Sequence, residues 1–90
     1  MKEKVLRIIN NYGAMNQLKY MQTEMFEFVE AVINYNNLPN EKSKEHIEEE
    51  YADLMVMLEQ FHAYYNLDDM HISEVMHQKI DRQLKRIEND

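Results

Sequence analysis

One glycine, Gly13, and one proline, Pro39, are the only strong backbone breakers in this chain of 90 residues. A β-rich fold needs many more turn residues, and a phosphate loop made of backbone amides needs several glycines. Between the breaks the chain is dominated by Met, Leu, Glu, Lys and Gln, all good helix formers. An all-α fold follows, with residues 1–90 forming one domain near the lower size at which a single core suffices. The absence of cysteine removes disulfides and thiolate metal sites.

Four helices can be drawn. Val5 to Ile9 suits a short amphipathic helix that ends near Gly13, where glycine can take a left-handed cap, and it reads as a flap against the rest. The second helix runs from about Ala14 to Tyr35, with Leu18, Met21, Met25, Val29, Val32 and Ile33 as an apolar stripe, widened by Phe26 and Phe28. Asn36 to Asn40 breaks the pattern, and Pro39 turns Leu38 away from helix. Asn40 or Ser43 then caps a third helix that closes near Asn66. Asp68 or Asp69 caps the fourth, whose core face is Ile72, Met76, Ile80 and Ile87.

From Tyr51 to Leu58 the third helix is apolar nearly all round, with Asp53 as the sole charge. Such a helix is buried on more than one side, and in a chain this small the second side points to a homo-oligomer. An ionised carboxylate within that run is costly unless paired or metal-bound, so Asp53 is the acid least easily dismissed.

Formal charge is −7, from 17 acidic and 10 basic residues. That balance argues against a general nucleic-acid binder. No apolar run approaches the roughly 20 residues of a membrane span, and the N-terminus lacks a signal-peptide pattern. A soluble cytoplasmic protein without membrane contact is expected.

Two acidic pairs stand out: Glu24 with Glu27, and Glu50 with Asp53. Each pair is three residues apart, and 22 residues lie between Glu27 and Glu50. A three-residue step keeps both members within roughly 60° on one helix face. Two such helices packed antiparallel bring four carboxylates to one gap, where a hard divalent cation such as Mg²⁺, or Mn²⁺ in its place, offsets their repulsion. Glu45 and Glu48 read instead as a solvated face. Lys79, Arg82 and Arg86 share one sector of the fourth helix, and Lys79 with Arg82 suit a phosphate clamp. The four histidines share no zinc-ligand spacing.

Glu24-x-x-Glu27, the interval, and Glu50-x-x-Asp53 together resemble the signature of the MazG-like all-α nucleoside triphosphate pyrophosphohydrolases. Leu18-Lys19 before the first pair, Phe28 and Ala31 after it, and Glu49 to Leu54 around the second agree. The resemblance implies a four-helix bundle-like MazG fold that forms a homodimer or homotetramer. It implies Mg²⁺ held by Glu24, Glu27, Glu50 and Asp53, with Glu24 or Glu27 activating water. It implies cleavage of (d)NTP to (d)NMP and pyrophosphate, with Lys79 and Arg82 on the phosphates. His77 stands where asparagine is common in that family and becomes a further substrate contact. Tyr12, Asn16 and Phe28 are candidate base contacts, though packing explains them better. Two rival readings keep the bundle without the chemistry: a helical interaction module with an acidic face, or a nucleotide sensor.

Overall fold

The computed structural model describes residues 1–89, which form four α-helices and no strand: α1 (Lys2–Tyr12), α2 (Ala14–Asn37), α3 (Glu41–Tyr64) and α4 (Asp69–Asn89). The chain is all-α, as the scarcity of breakers requires.

The helix ends are set by local chemistry. Gly13 alone joins α1 to α2, at φ 93° and ψ 140°. The positive φ was expected, but ψ lies far from the left-handed helical value of about +47°. Gly13 is therefore a sharp corner rather than a left-handed cap. A Cβ there would meet only Asn16 Nδ2, at 3.7 Å, so backbone conformation rather than space demands glycine. Asn40 caps α3 in a reciprocal box: its Oδ1 accepts from the Ser43 amide at 2.8 Å, and Ser43 Oγ accepts from the Asn40 amide at 3.1 Å. At the far end Asn66, at φ 51°, closes a Schellman turn. There the Leu67 amide donates to the His62 carbonyl at 3.0 Å and the Asn66 amide to that of Ala63 at 3.2 Å. Asp68 caps α4 through the amides of Met70 and His71, at 2.9 and 3.3 Å.

α2 and α3 pack antiparallel, and α1 lies against both, mainly against α3. The core is Val5, Ile9, Ala31, Met57 and Ala63, with buried Gln17, Glu24 and Gln60 among them. Ile9 is fully buried, so α1 is an integral layer and not the flap that its few apolar residues suggest.

The larger departure concerns α2. Its buried line is Gln17, Glu24 and Ala31, whereas Leu18, Met25, Val29 and Ile33 of the expected stripe are exposed. Ala31 explains the choice: a small residue lets α3 approach closely, which turns the bulkier stripe outward. Asp53 is likewise exposed; α3 buries the line through Met57 and Gln60 and leaves its other apolar sides open. The expected core face of α4 does not pack within the protomer. Among the described residues α4 packs along no other helix and buries no side chain; its first residue, Asp69, meets His62 of α3, and Ile72 and Val75 are half-buried. No described helix is long and apolar enough to cross a membrane.

Gly13→Ala is expected to lower stability by about 1–2 kcal/mol, because an L side chain resists this positive φ. A urea titration checks it, the midpoint falling with little change in slope.

Candidate functional site

Antiparallel packing of α2 on α3 brings the two acidic pairs together. One carboxylate oxygen from each of Glu24, Glu27 and Glu50 lies within 4.8 Å of the other two. Oxygens around a single hard cation such as Mg²⁺ sit about 3–4 Å apart, so this spread needs only a small closure. Glu24 is 5% exposed. Its Oε2, and Oε2 of Glu50 on the facing helix, are buried without any hydrogen-bond partner among the described residues. Glu50 Oε1 lies 3.8 Å from His46 Nε2.

Buried carboxylate oxygens are normally satisfied, because desolvating an unpaired charge is expensive. Two orphaned oxygens from opposite helices, beside a third carboxylate, fit a cation-binding donor set. Asp53 is outside this triple, but it lines the same cavity as Glu24, and its charge acts on Glu24.

The electrostatics record the crowding. Burial is the first cause that raises the Glu24 pKa; hydrogen bonding toward Tyr20 opposes it, and the charges of Glu27 and Asp53 with hydrogen bonding to Glu27 raise it further. The Tyr20 phenol is also raised, first by hydrogen bonding toward Glu24 and then by that carboxylate's charge. No bond of ordinary geometry forms between the two, so the influence is loose and Glu24 Oε2 stays unpartnered.

A cavity of about 500 Å³ opens beside the acids, within the size range of small-molecule sites. Glu24 and Asp53 line one end. Gln17 and Gln60 line the other; Tyr20 from α2, near Glu24, and Tyr12 from α1 complete the lining. Gln17 Nε2 donates to Gln60 Oε1 at 2.8 Å across the helix pair.

The other candidates fall elsewhere. Lys79, Arg82 and His77 are on α4, which does not pack on α2 or α3 in the protomer. Neither Lys79 nor Arg82 makes an ion pair among the described residues. His77 Nδ1 is 3.0 Å from the Ser73 carbonyl of its own helix. Asn16 donates to the Tyr12 carbonyl at 2.8 Å, and Phe28 meets Tyr51 edge-on with ring centres 6.0 Å apart. His62 Nε2 lies 2.6 Å from Asp69 Oδ1, tying the end of α3 to the start of α4.

Sequence reasoning passed over Gln17 and Gln60. The signal was present: Gln17 is seven residues before Glu24, and Gln60 is seven after Asp53. Seven residues are two helical turns, so each glutamine shares the face of its acid. Comparison with family models, curated proteins and solved structures finds no match to this chain.

The raised Glu24 pKa has a stability consequence. The stabilisation from its favoured protonation is complete below the ordinary carboxylate value of 4.5 and is lost as pH rises through the raised folded value. In metal-free protein Glu24→Gln, with a permanently neutral side chain, should melt above the parent at about pH 7, and the margin should shrink toward about pH 4. Added Mg²⁺ should raise the melting temperature of the parent and not of the variant. Calorimetry across pH, with and without Mg²⁺, checks both outcomes.

Proposed function

We propose that this protein is a Mg²⁺-dependent nucleoside triphosphate pyrophosphohydrolase of the MazG-like type, cleaving (d)NTP to (d)NMP and pyrophosphate. The observation that carries the reading is the pair of buried, unpartnered oxygens of Glu24 and Glu50 on facing helices, with Glu24 lining a cavity of ligand size. The acidic signature of both helices, and its resemblance to that family, supply the reaction class.

Glu24, Glu27 and Glu50 would hold the cation, with Asp53 completing the set. A divalent ion there supplies charge neutralisation for phosphate oxygens and a lowered pKa for a coordinated water. The carboxylate of Glu24 or Glu27 would orient the attacking water and take its proton. The water oxygen bonds to the α-phosphorus as the bond to the α–β bridging oxygen breaks. Pyrophosphate departs with that oxygen and its electron pair. Lys79 and Arg82 stabilise the growing charge, with His77 as a further contact.

That last step needs a second copy of the chain, because α4 is separate from the acids within the protomer. The surface supports such an assembly. A folded monomer of this mass ordinarily exposes about 5,600 Å², whereas this protomer exposes 7637 Å². Its radius of gyration is 16.3 Å, against about 12 Å for a compact chain of this length. The excess is of the order buried by an obligate interface. Met76, Ile80, Leu84 and Ile87 on α4, and Met25, Val29 and Ile33 on α2, are open apolar surface for a homodimer or homotetramer.

Pyrophosphate release from a panel of ribo- and deoxynucleoside triphosphates tests the reaction. It should require Mg²⁺, stop with EDTA, and fall at least about 100-fold in Glu50→Gln while helix content persists. A fully active Glu50→Gln protein removes Glu50 from the site. Binding without turnover in the parent favours a sensor, and neither binding nor turnover favours an interaction module. Ile80→Glu combined with Leu84→Glu should reduce the oligomer mass in light scattering and lower activity together with it.

A further inference from the structure

Gln17 and Gln60 form a buried amide pair that is only half used. Gln60 is 2% exposed and Gln17 is 8% exposed. One bond joins them, from Gln17 Nε2 to Gln60 Oε1. The Gln60 Nε2 group has no better acceptor than the Met57 thioether, at 3.5 Å, which is a weak one. Gln17 Oε1 accepts no hydrogen bond among the described residues. Unlike the orphaned oxygens of Glu24 and Glu50, Gln17 Oε1 is not sealed from solvent, so it is open to a ligand. What is left is a donor engaged only by a thioether and a free acceptor, on two residues that both line the cavity.

We propose that this amide pair is the base-reading element of the site, taking the edge of a nucleobase that presents an acceptor next to a donor. The inference rests on the nucleotide reading above and deepens it. Three features lead to a base rather than another polar group. The free donor and acceptor match the paired groups along a base edge, which glutamine side chains read well. Tyr12 and Tyr20 line the same cavity, and aromatic side chains are the usual platform on which a heterocycle stacks. The glutamines lie two turns along the helices from Glu24 and Asp53, about 10 Å, a separation of the order that a sugar imposes between phosphate and base edge. Phosphates at the acids and a base at the amides thus run along one groove.

The test is nuclear magnetic resonance of the glutamine side-chain amides in the full chain with Mg²⁺. The ligands are the four common nucleoside monophosphates and ribose 5-phosphate. The Gln17 and Gln60 amide signals should move with at least one nucleotide and stay still with ribose 5-phosphate. That nucleotide should bind at least about tenfold tighter than the sugar phosphate, the size of one or two hydrogen bonds made on a pre-formed edge. In Gln17→Met combined with Gln60→Met, which keeps volume, the advantage should largely disappear while ribose 5-phosphate binds as before.

Amide signals unmoved by every nucleotide, or an undiminished base preference in the folded double variant, would overturn the proposal. If the double variant does not fold, the parent's amide signals and the single variant Gln17→Met decide it. Pyrophosphate release from the parent separates this proposal from the reading beneath it. Release with silent amides overturns the base pocket alone, and moving amides without release overturn hydrolysis alone.

Discussion

Carboxylates that face one another across α2 and α3 are the constraint on which the structure turns. The two helices pack closely because Ala31 is small and Met57 fills the seam, and that closeness places Glu24 out of water beside Glu27 and Glu50. Like charges in such a gap repel, and the repulsion grows as water is excluded. Only a proton or a cation relieves it. The raised pKa of Glu24 is the first response, available to the protein by itself. A divalent cation, as proposed, would be the second, and it would leave the carboxylates ionised.

The same packing sets the layout of the groove. Antiparallel helices with acids at one level and amides two turns away form a channel whose ends differ in chemistry. α1 supplies Ile8 and Tyr12 along its side and is anchored by Ile9, the most deeply buried large apolar residue of the chain. The sharp corner at Gly13 makes this possible, since a longer connection would not hold α1 so firmly over the start of α2.

Much of the protomer's apolar surface finds no partner within it. α2 and α3 each carry more than one apolar side and can use only one on each other, while α4 stands apart with most of its apolar face open. A small domain that leaves this much apolar surface in water forgoes most of its available stabilisation. That open surface is what the proposed assembly with further copies rests on.

The helices, their caps and the pairing of acids were legible in the sequence, because each depends on neighbours within one or two turns. Asn40, Gly13 and Asp68 announce helix ends through their own backbone and side-chain chemistry, and three-residue spacing alone puts Glu24 with Glu27 and Glu50 with Asp53 on common faces. Periodicity also identified the apolar stripes, but it could not say which stripe would be buried. On α2 the line Gln17, Glu24 and Ala31 was buried instead of Met25, Val29 and Ile33, and Glu24 rather than Asp53 became the enclosed acid. That choice belongs to contacts between helices, where closeness of approach competes with side-chain bulk. For the same reason the Gln17–Gln60 pair emerges only in three dimensions. Local chemistry along the chain determined the elements and the residues available to each face, and tertiary packing alone decided which faces meet, because burial is a property of two surfaces at once.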